Sequence, residues 1–246
     1  MPSSDHSLTV LVRKLESIAE LSDAERQAIL SLPVTTRVLY PGQDILCEGD
    51  RPAQCSLILN GWVCRYKLLS MGRRQILSFH VAGDILDLQS LHLSVMDYSL
   101  ATLSRAAVAF IPHESLRELT AHFPGIAAVL WRDFAIDAAS YRAWLTGVGR
   151  RPAYERLAHL FCELYLKQQA VGLASEHRCP LPITQTDLAD ALGLSNVHVN
   201  RVLQEMRGRG LINLRGGTLV IEAWRKLVEA AEFDPTYLHL GRGSAA

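Results

Sequence analysis

At 246 residues, 49% apolar and 20% charged, the chain is long enough for about two domains with filled cores and too apolar for extensive disorder. Its 25 basic and 25 acidic residues cancel, so any attraction to nucleic acid must come from a local field. Five cysteines, never two residues apart, leave no zinc ribbon, thioredoxin-like motif or iron–sulfur run, and they predict reduced, mostly buried thiols in a cytosolic protein.

The N-terminal stretch lacks an uninterrupted apolar core and a small-residue cleavage site, so it does not read as a signal peptide. No run is long enough to span a bilayer, and the expectation is a cytoplasmic protein with no membrane partner. Leu8, Leu11, Leu15, Ile18 and Ala19 recur near helical spacing. Ser22 with Glu25 has the pattern of a capping box opening a second helix that stops before Pro33. From Val34 to about Pro112 the runs CSLILN, WVCRYKLL, RQILSFHV and ATLSRAAVAFI alternate with turn signals, which predicts a compact antiparallel barrel or sandwich. The stretches PGQDILCEGD and ILNGWV fit tight turns between its strands. Such barrels can hold a small ligand in the mouth, so a sensor domain is expected.

From Phe123 to about Val148 a long helical pattern places Ile126, Leu130, Phe134, Tyr141, Leu145 and Val148 near one stripe. It reads as a coiled-coil-like seam between two copies, with burial against the barrel as the plainer alternative. Gly147, Gly149 and Pro152 predict a hinge near residue 150, after which RPAYERLAHLFCELYLKQQAVGL restarts as an amphipathic helix. The expected organisation is residues 1–122 as helices and barrel, 123–149 as the seam helix and hinge, 150–232 as a C-terminal domain, and 233–246 as a loosely ordered tail.

The most informative stretch is TQTDLADALGLSNVHVNRVLQEM, from Thr184 to Met206. Thr184 with Asp187 forms a capping box, Gly193 sits where the chain must reverse, and Ser195 can cap the second helix of the pair. Val199, Val202, Leu203 and Met206 repeat at three and four, so they should face inward. The other face carries Asn196, Val197, His198, Asn200, Arg201 and Gln204. Arg pairs bidentately with guanine, Asn or Gln with adenine, and Val meets a thymine methyl. This is the pattern of a helix-turn-helix whose second helix enters the DNA major groove; a solvated amphipathic helix in an ordinary bundle is the plainer alternative. LINLRGGTLVI comes next as a glycine-turn hairpin, the wing of a winged reader, with Arg215 at its tip aimed at a phosphate or the minor groove. From Ser195 to Lys226 six basic residues face two acidic ones, a local field of the kind phosphate contacts require.

A glycine-punctuated barrel, a long helix, a hinge and a winged reader in this order resemble the CRP/FNR superfamily of bacterial transcription regulators. PGQDILCEGD, ILNGWV, VAGD and the reader block carry the resemblance. It implies an α+β fold: an antiparallel β-roll or jelly-roll sensor, a dimerisation helix and a C-terminal winged helix-turn-helix. It also implies a homodimer on near-palindromic double-stranded DNA, a regulator rather than an enzyme and, for an activator, RNA polymerase as a further partner.

The departures shape the expectation further. In cyclic-AMP-binding members a Glu holding the ribose falls at Leu88 here and an Arg holding the phosphate falls at Tyr98, leaving only Ser99. A buried cyclic phosphate would lack its cation, so cyclic AMP is disfavoured and no cofactor is assigned. An effector, if the barrel takes one, would meet Asp87, Leu88, Tyr98 and Ser99. The resemblance implies a Glu where Val197 stands, so the base preference should differ from the commonest one. Three rivals stand beside this reading. One is an effector- or redox-responsive sensor of the same fold with its signal bound in the β-roll, Cys179 being a separate candidate redox switch, one a cupin-like barrel with a metal at His80 and His92, and one a C-terminal domain that binds a protein partner in place of DNA.

Overall fold

The computed structural model describes residues 8–241, which form two units: residues 8–68 with 77–135, and residues 69–76 with 136–241. Residues 1–7 of the polar N-terminal stretch and 242–246 of the tail lie outside the described residues.

In the first unit α1 (Thr9–Glu16) buries Leu11, Val12 and Leu15, and Leu8 and Ile18 just outside it are buried too. Helix α2 (Asp23–Leu30) opens on the Ser22–Glu25 capping box, in which the Ser22 amide donates to Glu25 Oε2 at 2.9 Å and the Glu25 amide to Ser22 Oγ at 3.3 Å. Seven strands come next: β1 (Thr35–Leu39), β2 (Asp44–Leu46), β3 (Gln54–Asn60), β4 (Val63–Leu68), β5 (Arg74–His80, of which 74–76 count with the second unit), β6 (Ser99–Thr102) and β7 (Ala106–Pro112). They build two sheets, ordered β1-β7-β3 and β2-β6-β4-β5. The run ATLSRAAVAFI, which reads as one strand, is broken into β6 and β7, and PGQDILCEGD contains the short strand β2 as well as its turns.

Ile58, Val63, Ala82, Leu86, Met96, Tyr98 and Leu100 fill the interior. Two glycines are needed where they stand. Gly61 has φ +94°, and a Cβ there would lie 2.5 Å from the Arg105 carbonyl oxygen; Gly83 has φ +98°, with α1 packed against it at Val10 and Lys14.

Helix α3 (His113–His122) has no counterpart in the expected elements. The expected seam helix is α4, Pro124–Arg150, which starts in the first unit and ends in the second. Its apolar residues lie on two faces rather than one stripe. Ile126 and Leu130 are buried by the chain itself, together with Val129, Ile136 and Ala139, while Phe134 and Tyr141 are half-buried. Of the residues expected in the stripe Leu145 and Val148 are open, at 74% and 45% exposure, and Trp131 joins them at 70%. Ala128, Trp131, Ala135, Ala138, Arg142 and Leu145 recur at four and three along the face left to solvent, a heptad spacing.

The second unit holds α5 (Ala153–Ala170), β8 (Arg178–Pro180), α6 (Gln185–Leu192), α7 (Asn196–Gly208), β9 (Ile212–Arg215), β10 (Thr218–Ile221) and α8 (Trp224–Ala230). The wing is a three-stranded sheet, β8-β10-β9, and Gly216 and Gly217 turn its hairpin at φ 57° and 72°. The described part of the tail, residues 233–241, packs onto this unit. Phe233 and Leu238 are buried around a short 3-10 turn at Pro235–Leu238, and Tyr237 stacks on His159 of α5 at 5.8 Å between ring centroids.

Candidate nucleic-acid interface

The reader is assembled by local rules. The Thr184 amide and hydroxyl both donate to Asp187 Oδ2, at 3.0 and 2.6 Å, and the Asp187 amide donates back to Thr184 Oγ1 at 3.1 Å. These bonds satisfy amides that have no partner within α6. Thr184 is thereby a cap whose hydroxyl is already engaged. Gly193 ends α6 in the left-handed region at φ 63°. Ser195 starts α7 by accepting the His198 amide at 3.2 Å.

Val199, Val202, Leu203 and Met206 are buried, as are Leu188, Ala189 and Leu192 of α6. Each large side chain of this set contributes about 1.5–3 kcal/mol through removal from water, which fixes the orientation of the other face of α7. On that face Asn196, Val197, Arg201 and Gln204 are exposed, and His198 and Asn200 are half-buried. Val197 is 81% exposed. Arg215 is exposed at the hairpin tip, and the Arg207 guanidinium donates to the Leu214 carbonyl at 3.0 Å, tying the reading helix to the wing. Arg156 donates to the Leu192 carbonyl at 2.6 Å and so closes the C-terminal end of α6. Arg74, from the segment 69–76 that belongs to this unit, bonds Asp187 Oδ1 at 2.5 Å and Asp190 Oδ2 at 2.7 Å. Arg201, Arg207, Arg209, Arg215, Arg225 and Lys226 are all exposed, so the local positive field survives folding, although Arg209 is paired with Glu205 at 2.7 Å.

Two residues of this surface escaped the sequence reading. The Asn196 amide donates to Thr186 Oγ1 at 3.3 Å and the Asn200 amide to Gln185 Oε1 at 3.2 Å, so the first turn of α6 is part of the outward face. The signal was available, because a tight turn between two short helices brings the start of the first beside the start of the second.

In the first unit the four residues expected to meet an effector lie in different surroundings. Asp87 is fully buried and accepts the Ser56 amide at 2.6 Å; burial pushes its carboxyl up to about 7 against the pull of that bond and of Arg65. Tyr98 is buried in the barrel core, with its hydroxyl on the Leu86 carbonyl at 3.1 Å, and Ser99 Oγ accepts the Glu48 amide at 3.0 Å. Leu88 instead borders a separate apolar cavity of about 400 Å³ with Arg117, Trp131 and Phe134.

The barrel does contain a cation, which sequence reasoning placed nowhere. Arg65 is 4% exposed, with its guanidinium 4.5 Å from the Tyr98 ring centroid and donating to the Leu86 carbonyl at 2.6 Å. Periodicity gives no signal for it, because Val63, Cys64 and Arg65 are buried in succession on β4.

His80 bonds Ser78 Oγ at 2.7 Å and lies 3.4 Å from Asp84, while His92 is exposed. Among the described residues no three His, Cys, Asp or Glu gather as a metal site, and no helix is long and apolar enough to cross a membrane. Cys179 is 1% exposed in β8, and burial pushes its thiol up to about 12, the opposite of what a reactive thiolate needs.

Comparison with known proteins bears on both units. The Crp-like helix-turn-helix domain matches residues 155–230 and the cyclic nucleotide-binding domain residues 36–123. The nitrogen fixation regulation protein FixK of Rhizobium meliloti is 28% identical over 188 residues, covering 76% of this chain and 82% of that protein. Electron transport regulator A of Shewanella oneidensis is 27% identical over 184 residues, covering 74% of this chain and 73% of its own length. The solved structure of FixK2 from Bradyrhizobium japonicum superposes with a TM-score of 0.72 at 26% identity, covering 81% of this chain and 98% of that one. A two-sheet barrel, a long helix and a winged helix-turn-helix thus coincide with both domain matches and with relatives matched over most of their length, and the chain belongs to the CRP/FNR superfamily of DNA-binding transcription regulators.

Proposed function

We propose that this regulator binds a near-palindromic DNA site as a homodimer, with the α7 helix of each copy in the major groove and without cyclic AMP. The observation that carries the proposal is the outward face of α7, where Val197 stands 81% exposed beside Asn196 and Arg201. An apolar side chain left in water on a polar face gains a partner in a thymine methyl. On this reading Arg201 takes a guanine and Asn200 an adjacent base, while Arg215 takes a phosphate. The heptad face of α4 supports pairing with a second copy. Tyr98 and Arg65, packed against each other in the barrel core, support independence from cyclic AMP, because the barrel's buried cation is already engaged. The protein works in the cytoplasm on this proposal and, at sites where it activates, contacts RNA polymerase.

Selection of sites from random duplexes, with purified protein and no added ligand, tests this directly. The expected result is a palindrome whose recovery does not change when cyclic AMP is added. Arg201→Ala is expected to cost about 1–3 kcal/mol and to relax preference at one base pair of each half-site, while Arg215→Ala weakens binding to all sequences alike and lowers the salt slope by about 1. An unaltered base preference in Arg201→Ala would sink the assignment of Arg201.

A further inference from the structure

We propose that Gln185 and Thr186, at the first turn of α6, set the base specificity of the reading helix by fixing the amides of Asn200 and Asn196. The inference rests on the reading of α7 as the base-contacting helix. The two bonds are parallel in construction: Asn200 Nδ2 donates to Gln185 Oε1 at 3.2 Å, and Asn196 Nδ2 donates to Thr186 Oγ1 at 3.3 Å. In both cases a side chain of α6 accepts from an amide of α7.

Gln185, Thr186 and Asn196 are exposed and Asn200 is half-buried, so water would satisfy all four groups if the pairs were absent. Bonds between water-exposed side chains therefore contribute little to folding. What they do is orient. An asparagine amide has two N–H donors and one carbonyl acceptor, and it presents a different edge if it flips. With one N–H held by Gln185, Asn200 has its carbonyl and second N–H left, the acceptor and donor that match N6 and N7 of adenine. Holding that edge before DNA arrives removes rotamers that binding would otherwise have to freeze. Thr186 does the same for Asn196 one turn earlier on α7. Gln185 and Thr186 are positioning residues in this scheme, since neither needs to touch a base.

The test compares base preference rather than affinity alone, using the full-length protein and site selection with subsequent titration of single-base variants of the selected duplex. Asn200→Ala locates the base pair that Asn200 reads. Gln185→Met keeps the length of the side chain and removes the acceptor; it is expected to lower discrimination at that same base pair by about tenfold and to leave the pair read by Arg201 unchanged. Gln185→Glu keeps an acceptor, so it should retain the preference even though its negative charge weakens binding to every sequence. Thr186→Val should act in the same way at the base pair located by Asn196→Ala. Equal weakening of all sequences by Gln185→Met, with base preference intact, would show a phosphate or structural role and overturn the proposal. If Asn200→Ala itself changes no preference, the reading of Asn200 as a base contact fails first and takes the proposal with it. That result is distinguishable from the previous one because it appears without any change at Gln185.

Discussion

Lowering the pH from 6.5 to 4 is expected to remove about 3 kcal/mol of stability from the second unit, and His159→Phe is expected to abolish most of that loss. His159 is 5% exposed on α5, with Phe233 edge-on at 5.0 Å and Tyr237 stacked at 5.8 Å. Burial in this aromatic setting drives its imidazole down to about 4; Glu163 pulls it upward and Arg151 pushes it further down. Because the folded value lies below the unfolded value of about 6.5, the unfolded chain takes up the proton first as the solution is acidified. The stability is therefore complete above about pH 6.5 and is lost progressively down to about 4.

Asp87 in the first unit has the opposite sign. Its folded value, about 7, lies above the ordinary 3.8, so acidification from neutrality favours that unit. Urea unfolding at pH 7 and pH 4.5, tracked through signals from each unit, should show the two midpoints moving in opposite directions. A second-unit midpoint that shifts equally in wild type and His159→Phe would remove His159 as the cause.

Glu163→Ala is the second large effect, expected to cost about 3 kcal/mol. The Glu163 side chain is 1% exposed and gathers three donors: Trp144 Nε1 of α4 at 3.1 and 3.2 Å, the Tyr237 hydroxyl of the tail at 2.6 Å, and Lys167 Nζ at 3.0 Å. Removing the carboxylate takes a partner from Lys167, whose side chain is only 16% exposed, from the Tyr237 hydroxyl and from the Trp144 indole N–H, at a site where water cannot easily replace it. Glu163→Gln keeps an acceptor for the indole and the hydroxyl, so its cost should fall between wild type and Ala. The urea midpoint of the second unit measures both, and a loss under about 1 kcal/mol for Glu163→Ala would mean that the cluster is not what holds α4, α5 and the tail together.

The reader was legible in the sequence because its signals are local. Thr184 and Asp187, Gly193, Ser195 and the spacing from Val199 to Met206 all act over three or four residues, and each has its expected conformation. Features that depend on distant partners were not legible. Strand β8 is three residues long and exists because Arg178–Pro180 pairs with Thr218–Val220. Helix α3 buries only His113, Leu116 and Leu119, too few to raise a periodic signal. The apolar residues of α4 announce a helix, but periodicity does not tell which of two apolar faces the chain covers itself; hence Ile126 and Leu130 are buried where an open seam was expected. The effector expectation looked for a cation only where the resemblance implies one, found Tyr98 there, and so missed Arg65, which reaches the Tyr98 ring from β4.

The docking of the tail on α5 also determines where this reader can be cut and transplanted. A fragment ending after the hairpin at Ile221 would carry all of α7 and the wing yet leave His159 and Glu163 uncovered, because Phe233 and Tyr237 complete their surroundings. The smallest portable module of this kind therefore extends to Leu238. A chimera that joins this reader to a foreign sensor should preserve Trp144 at its start as carefully as the recognition helix in its middle.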